Sequence, residues 1–408
     1  MRRLLRVAGR LVCGLAVLLL SPVLGLATLA GMATVMAGPQ VFSVTGLAVF
    51  ASVFYLGLLL CVPRPAHRWA RWVRAVALLA VEAVVVWHVC AQVLTEPPGT
   101  PPPAARVEGQ REWELPTGSR LAYVRVAAGK ADAAPVVVLQ GRGDLAGDAA
   151  FFGRLAGGGR EVYVYDALGT GRSERLLDPR GYGLPRDVSD LEAIREELGA
   201  ERLVLVGHGE GARLAAAYLG AFPGRVERVV FSSPAPLRPA PTVLGFPAPG
   251  ESLRMADVDA RMLVTHALLR VEPRAALSFA GDGELDARLD RARALTAASH
   301  HCPGVKPAAR PHGSGGSGGY ASLAPRDVEP PGASGVPVLM VKGSCDFQPW
   351  SSIRDYPPGG LVYVEGAGHA VYADRPGPYL KALRSFLAGR RTGTPAGDRP
   401  PPGYLGPA

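Results

Sequence analysis

The first quarter of the sequence almost completely lacks acidic side chains. Residues 1–95 contain one acid, Glu82, and eight arginines, whereas the remaining residues hold 36 basic and 34 acidic side chains. Of the net charge of +9, +7 therefore lies in the most apolar part of the chain and only +2 in the rest. A segment that is both basic and apolar is typical of a membrane protein, so we predict no nucleic-acid partner.

Cysteine is also scarce, with five residues in 408. No group of His, Cys and Asp residues has the spacing of a metal site. The stretch at residues 168–171 (LGTG) lacks the third glycine of a dinucleotide-binding loop. We therefore predict neither a metal ion nor another cofactor.

Three long uncharged or nearly uncharged runs occupy residues 1–94. They cover residues 11–37, 41–62 and 75–94, and only Glu82 and His88 interrupt the third. A bilayer core requires about 20 apolar residues as helix, and a helix satisfies every backbone polar group there. We predict three transmembrane helices. A cleaved signal peptide is the alternative, because Arg2, Arg3 and Arg6 precede the first run.

The arginines also predict an orientation for these helices. Four arginines lie in the N-terminal tail and four in the 63–74 connection, whereas residues 38–40 have none. The positive-inside rule places the two arginine-rich segments in the cytoplasm. Three spans then place everything after Leu94 outside the cell, as a multi-pass protein of the cell membrane. Residues 95–110 would form a Pro-rich linker.

The pattern changes at Arg111, where short apolar runs begin to alternate with amphipathic stretches. Near-continuous Val/Leu runs such as PVVVLQ and RLVLVG are typical of buried parallel strands. Their alternation with helices predicts an α/β domain over residues 111–388. The Pro/Gly/Arg-rich tail, residues 389–408, is predicted to be disordered.

One strand–turn–helix unit is specific. The strand RLVLV ends at Val206, the turn Gly207–Gly211 (GHGEG) follows, and the helix ARLAAAYLGAF continues from it. This is the form of a nucleophile elbow, G-x-S-x-G, in which a sharp turn presents a nucleophile above the sheet edge. The glycines allow the strand and helix backbones to approach closely.

With these motifs the chain resembles the α/β-hydrolase superfamily, and within it the proline-iminopeptidase-like group. The resemblance covers Trp113 to Leu387. Its pieces are PVVVLQGRGD, YDALGTGRSER, the elbow, VPVLMVKGSCD and VEGAGHAVYADRPG, in the family's order. It implies a mostly parallel eight-stranded sheet with a helical cap inserted at about residues 235–334.

The resemblance also implies roles for individual residues. His369 matches the catalytic base and Asp346 the acid that orients it. Gly209 stands at the nucleophile position, which leaves no hydroxyl to attack a substrate. The backbone amides of Arg142 and Glu210 would donate to an oxyanion.

Two further pairs of residues bear on the site. Ser232 and Ser233 end the strand after the elbow and should lie near the same sheet edge, but no elbow presents them as nucleophiles. Cys302 and Cys345 are the two cysteines of the outer domain, where disulfides are permitted. A bridge between them would fix the cap over the site.

Within the cap, helices are predicted at 253–271 and 284–298, and a flexible loop at 312–319.

Two functions remain open at this stage. The first is a membrane-anchored hydrolase outside the cell that acts on small peptide, amide or ester bonds. The second is an inactive pseudohydrolase that binds a small ligand or a partner. A serine-free enzyme with another chemistry and an altered sequence at position 209 are the remaining explanations for Gly209.

The predicted orientation can be tested with a reporter fused after Ala408. A phosphatase that requires disulfide bonds for activity is expected to be active there. The same reporter inserted in the 63–74 connection should be inactive and serves as the control. Activity in the reverse pattern would contradict the three-span topology.

Overall fold

The computed structural model describes residues 2–35, 38–96, 106–140, 145–238, 259–305, 327–332, 334–395, 397 and 399–407. The chain divides into two compact units. The first unit comprises residues 1–98 and 254–284, and the second unit comprises residues 99–253 and 285–408. The helices, in chain order, are α1 Arg2–Ala33, α2 Pro39–Cys61, α3 Arg68–Val93, α4 Leu145–Phe152, α5 Leu184–Glu197, α6 Glu210–Ala221, α7 Ala260–Val271, α8 Pro273–Thr296, α9 Val371–Asp374 and α10 Pro376–Leu387.

The first unit contains three helices that are long and apolar enough to cross a membrane, as the sequence predicts. Helices α1 and α2 pack closely through small residues. A Cβ atom on Gly25 would lie 2.8 Å from Phe50 Cβ, and one on Gly46 would lie 2.6 Å from Leu29 Cβ. Glycine at these positions lets the two backbones approach, which is how apolar helices associate where no hydrophobic driving force acts between them.

Residues 254–284, which lie inside the predicted cap at 235–334, cluster with the N-terminal helices in this first unit. Helix α7 packs against α1 and α3. The buried Arg261 donates from Nη1 to the Val93 carbonyl, at 2.9 Å, and pairs with the buried Glu284. Its guanidinium also lies 4.3 Å from the centre of the Phe279 ring. A buried arginine requires such partners, and here they come from α3 and α8.

The predicted cap helices are present with different bounds. Helix α7 begins at Ala260, where the Asp259 side chain accepts a hydrogen bond from Met262 N, and residues 253–258 lie outside the described residues. Helix α8 begins at Pro273 and is interrupted at Gly281, whose φ is 71°. The predicted loop at 312–319 also lies outside the described residues.

The second unit is built on a nine-stranded sheet in the order β1-β2-β4-β3-β5-β6-β7-β8-β9. The strands are β1 Gln110–Glu114, β2 Arg120–Val126, β3 Val136–Gln140, β4 Val162–Tyr165, β5 Leu203–His208, β6 Val226–Ser232, β7 Val338–Gly343, β8 Gly360–Val364 and β9 Thr394–Pro395. Strands β3 to β8 are parallel, whereas β1, β2 and β9 pair antiparallel at the edges. The mostly parallel sheet confirms the predicted fold class, with one short strand more than the eight expected.

The sheet is buried on both faces, which explains its near-continuous apolar strands. Val137 and Leu139 of β3 enter one apolar core, and Val136 and Val138 enter the other. The register aligns the ends of neighbouring strands, so that Gln140 is level with His208 and His208 with Ser232. Residues that follow these strands therefore meet at one edge of the sheet.

The tail after Gly389, predicted to be disordered, is packed against the domain in its described residues. Strand β9 pairs with β8. The Tyr404 hydroxyl donates to the Gln348 carbonyl at 3.0 Å, and Leu405 N donates to the Ser344 carbonyl at 2.7 Å. The low apolar content of the tail favours disorder, but one tyrosine and several backbone hydrogen bonds are enough to hold it.

Deletion of residues 404–408 should lower the melting temperature. Because these hydrogen bonds are lost and the Trp350 side chain becomes exposed, the free energy of unfolding should fall by about 1–3 kcal/mol. The melting temperature should then fall by several degrees. Thermal unfolding of the full-length protein in detergent measures the change. Tyr404→Phe, which keeps the ring, should lose only a small part of the stability. An unchanged melting temperature in the deletion would contradict the packing described.

Candidate active site

The turn after β5 has the backbone of a nucleophile elbow. Gly209, between β5 and α6, has φ 55° and ψ −116°, a conformation that costs a residue with a side chain considerably more than glycine. Its flanking glycines are required by packing. A Cβ atom on Gly207 would lie 2.5 Å from the Gly211 carbonyl oxygen, and one on Gly211 would lie 1.9 Å from that of Leu139. The small residues thus hold β5, α6 and β3 at the distance that shapes the turn.

A His–Asp pair lies against this turn. Asp346 follows β7 and His369 follows β8, and both are buried. His369 Nδ1 donates to Asp346 Oδ1 at 2.9 Å, which fixes the ring. A Cβ atom on Gly209 would lie 3.2 Å from His369 Nε2. The structure therefore brings Gly209, Asp346 and His369 together at one edge of the sheet.

The carboxylate of Asp346 has a second, cationic partner. Lys342 Nζ donates to Oδ2 at 2.9 Å and to the Gln348 carbonyl at 3.0 Å, and Gln348 N donates to Oδ1 at 3.1 Å. Burial by itself raises the pKa of Asp346, but the charges of Lys342 and His369 outweigh it and hold the pKa well below its usual range. The carboxyl group is therefore ionised wherever the protein is folded near neutral pH.

The role of Lys342 is missing from the sequence predictions. The residue is fully buried on β7, and its ammonium lies 5.9 Å from the centre of the Tyr404 ring. A lysine at the end of the apolar run VLMVK, four residues before Asp346, was the available signal. Buried lysines are rare unless paired, so its position already indicated an acidic neighbour.

Aromatic and polar side chains surround the His369 ring. The rings of His208 and Phe347 lie 4.7 and 4.4 Å from it, centre to centre. His208 Nδ1 is 3.3 Å from the hydroxyl of Ser232, which therefore lies at this edge as predicted. Among the described residues, no group of His, Cys, Asp or Glu side chains could hold a metal ion.

Only one of the two predicted oxyanion donors can be placed. Glu210 is the first residue of α6 and directly follows Gly209, with its side chain turned outward to pair with Arg213 at 2.7 Å. Its backbone amide thus occupies the N-terminus of the helix, where donors are free to bind an anion. Arg142 lies outside the described residues.

Cys302 and Cys345 form a disulfide. Cys345 directly precedes Asp346 in the sequence. The residues before Cys302 contact the segment that follows His369: the His300 carbonyl accepts from Ala370 N at 3.2 Å, and His301 Nδ1 hydrogen-bonds to the Asp374 carboxylate. Residues 300–302 therefore connect the loop of Asp346 with the loop of His369.

Comparison with known proteins agrees with this fold. Residues 134–268 match the sequence model of the family described as alpha/beta hydrolase fold. A proline iminopeptidase of Heyndrickxia coagulans is 43% identical over 75 residues, which are 18% of this chain and 26% of the relative, so the match spans about a quarter of that protein. The human (lyso)-N-acylphosphatidylethanolamine lipase is 28% identical over 293 residues, which cover 65% of this chain and 82% of the lipase.

Among solved structures, the proline iminopeptidase of Mycobacterium smegmatis is 19% identical with a TM-score of 0.46, covering 69% of this chain and 98% of that one. The sheet topology and the family match together define an α/β-hydrolase-fold protein. Within that class the chain resembles the proline iminopeptidases, as the motifs predicted.

Removal of the Lys342 charge should strongly destabilise the second unit. Lys342→Met leaves a buried carboxylate without its ammonium partner, a change that costs about 3–5 kcal/mol and lowers the melting temperature by about 10 °C. The double variant Lys342→Met/Asp346→Asn buries no unpaired charge and should recover much of the loss. Equal melting temperatures for the single and double variants would contradict a charge-based role for Lys342.

Proposed function

We propose that the protein is a membrane-anchored pseudohydrolase, whose domain binds a small acyl compound (a peptide, amide or ester) outside the cell without forming an acyl-enzyme. One observation carries the proposal: the position that faces His369 Nε2 belongs to Gly209, which has no side chain. An acyl-enzyme needs an oxygen, sulfur or nitrogen nucleophile, and glycine offers none. The His–Asp pair that would serve such a nucleophile is nevertheless in place beside it.

The names of the relatives support an acyl ligand. A proline iminopeptidase is named for its action on a peptide, and the (lyso)-N-acylphosphatidylethanolamine lipase for an acylated lipid. An acyl carbonyl is the group that an elbow and an oxyanion hole recognise in this fold. We extend that recognition, but not the activity, to this chain.

The proposed location outside the cell rests on two features. The arginines flank the apolar helices asymmetrically, which favours a cytoplasmic N-terminus. The disulfide between Cys302 and Cys345 fits an oxidising compartment better than the cytoplasm.

A second candidate is slow hydrolysis by water, which the orientation of His369 favours. With Nδ1 bonded to Asp346, Nε2 is the free acceptor and faces the space beside Gly209. Nε2 would take a proton from water while the water oxygen attacks the acyl carbonyl, and the imidazolium would return the proton to the leaving group. In proteases that lack a triad member, about 10³–10⁴-fold acceleration over water remains.

Labelling with a fluorophosphonate probe tests the main proposal. The protein as it stands should not be labelled, whereas Gly209→Ser should be, because the new hydroxyl lies beside His369 Nε2. Gly209→Ala is the matched control, since it introduces the same backbone strain at φ 55° without a hydroxyl. Gly209→Ser/His369→Ala should lose the labelling.

Each other result has a definite meaning. Labelling of the unmodified protein would show a nucleophile elsewhere and overturn the proposal. Absence of labelling in folded Gly209→Ser would show that His369 does not activate a group at position 209, which also overturns it. Hydrolysis of p-nitrophenyl acetate by the unmodified protein, abolished in His369→Ala, would favour the second candidate.

A further inference from the structure

The start of α1, the end of α2 and the start of α3 meet at one end of the first unit. Cys61, the last residue of α2, lies against α1, because a Cβ atom on Gly14 would be 4.0 Å from its sulfur. At the same end, the Arg74 guanidinium of α3 donates to the Leu59 carbonyl at 2.9 Å and to the Val62 carbonyl at 2.8 Å. The arginines that flank the three helices in sequence are therefore gathered at one end of the unit.

Two of these arginines are bonded to the backbone. Arg74 satisfies the two carbonyls at the end of α2. Arg71 donates from Nε to the Pro65 carbonyl at 3.1 Å and from Nη2 to the Ala66 carbonyl at 3.2 Å. A helix leaves its last carbonyls without partners inside the helix, and basic side chains can satisfy them. Arg71 and Arg74 thus hold the connection between α2 and α3.

Three other arginines at this end have no such structural use. Arg10, Arg64 and Arg68 are exposed and make no hydrogen bond or ion pair within the part of the chain that the structure describes. Residues 1–81 contain no acidic side chain. The first acid, Glu82, lies about 21 Å from Arg68 along α3. The positive charge at this end is therefore not compensated by the helices that carry it.

Two exposed tryptophans accompany these charges. Trp69 and Trp72 lie in the first turns of α3, directly after Arg68, and are 70% and 76% exposed. Val73 and Val76 continue the exposed apolar surface toward the middle of the helix. Tryptophan is enriched at the level where hydrocarbon meets the lipid headgroups. The arginines and tryptophans are thus placed where headgroups and the upper parts of acyl chains would contact them.

We propose that Arg10, Arg64 and Arg68, with Trp69 and Trp72, form a binding surface for anionic phospholipids. The proposal rests on the membrane anchoring proposed above. A phosphodiester headgroup supplies the negative charge that is missing at this end, and a guanidinium group can donate two parallel hydrogen bonds to a phosphate. Clusters of basic residues next to membrane helices attract anionic lipids in this way. The tryptophan rings contact the acyl chains of the same lipids.

A zwitterionic headgroup meets these requirements only in part. Phosphatidylcholine has the same phosphate as phosphatidylglycerol, but its quaternary ammonium cancels the net charge and would lie among the guanidinium groups. Each basic residue near the membrane surface strengthens the attraction for anionic lipid by about fivefold. We therefore expect this end of the unit to enrich phosphatidylglycerol over phosphatidylcholine at least about fivefold, and less so at high salt.

Quenching of tryptophan fluorescence by brominated lipids tests the proposal. The full-length protein is reconstituted in phosphatidylcholine vesicles that contain a fixed fraction of brominated phosphatidylglycerol or, in parallel, of brominated phosphatidylcholine. The brominated phosphatidylglycerol should be enriched at least about fivefold around Trp69 and Trp72. The triple variant Arg10→Gln/Arg64→Gln/Arg68→Gln should bring the enrichment close to one.

The matched charge control removes three exposed arginines from the second unit instead. Arg106→Gln/Arg111→Gln/Arg391→Gln should leave the enrichment unchanged.

A second control locates the lipid along α3. Trp69→Phe/Trp72→Phe keeps Trp87, which is 70% exposed near the other end of the helix. In this variant, the two brominated lipids should quench equally.

Three results would overturn the inference. They are equal quenching by the two lipids in the unmodified protein, an enrichment retained by the folded triple arginine variant, and a preference retained by Trp69→Phe/Trp72→Phe, which would place the anionic lipid elsewhere. Quenching by brominated phosphatidylcholine also separates this proposal from the membrane anchoring. If both lipids quench equally, only the lipid preference is removed, whereas absence of quenching by either lipid would contradict the anchoring too.

Discussion

The charge of the Asp346 carboxylate is the constraint on which the geometry at this edge of the sheet depends. A fully buried carboxylate is costly to desolvate and persists only with close partners. Lys342 comes from the preceding strand, Gln348 N from the following loop, and His369 from beyond the next strand. Each partner belongs to a different element of the fold. The one carboxylate therefore fixes the positions of β7, of the loop at Gln348 and of the loop at His369 relative to one another.

The loop that carries this charge is held from two further directions. The disulfide at Cys345 joins it to the segment that contacts the base loop, and the C-terminal residues Tyr404 and Leu405 bond to its carbonyls. These contacts keep Asp346 and His369 in place beside Gly209. Gly209 adds no strain to this arrangement, whereas a residue with a side chain at that φ would cost about 1–3 kcal/mol. The geometry of the site is therefore a property of the fold and does not require a reacting side chain to persist.

The sequence predicted those features that local patterns encode. Val/Leu runs predicted the parallel sheet, glycines predicted the elbow, and the order of motifs located Gly209, Asp346 and His369. Features that depend on distant partners were missed. Arg261 bonds to Val93, 168 residues earlier, and no periodicity in either segment reveals that contact. The composition of the tail favours disorder, and the contact of Tyr404 with the Gln348 carbonyl cannot be read from that composition.

The discontinuous first unit has a consequence for how the protein is made. Helices α1 to α3 are synthesised first, but α7, which packs against α1 and α3, follows only after most of the sheet strands have been translated. At about 5–20 residues per second, the 168 residues between Val93 and Arg261 correspond to roughly 10–30 s. During that interval the surface that α7 later covers is open, and the Val93 carbonyl lacks the guanidinium that it finally binds. In a nascent chain, helices α1 to α3 therefore lack their contacts with α7 until much of the second unit has been translated, so completion of the first unit waits on synthesis of the second.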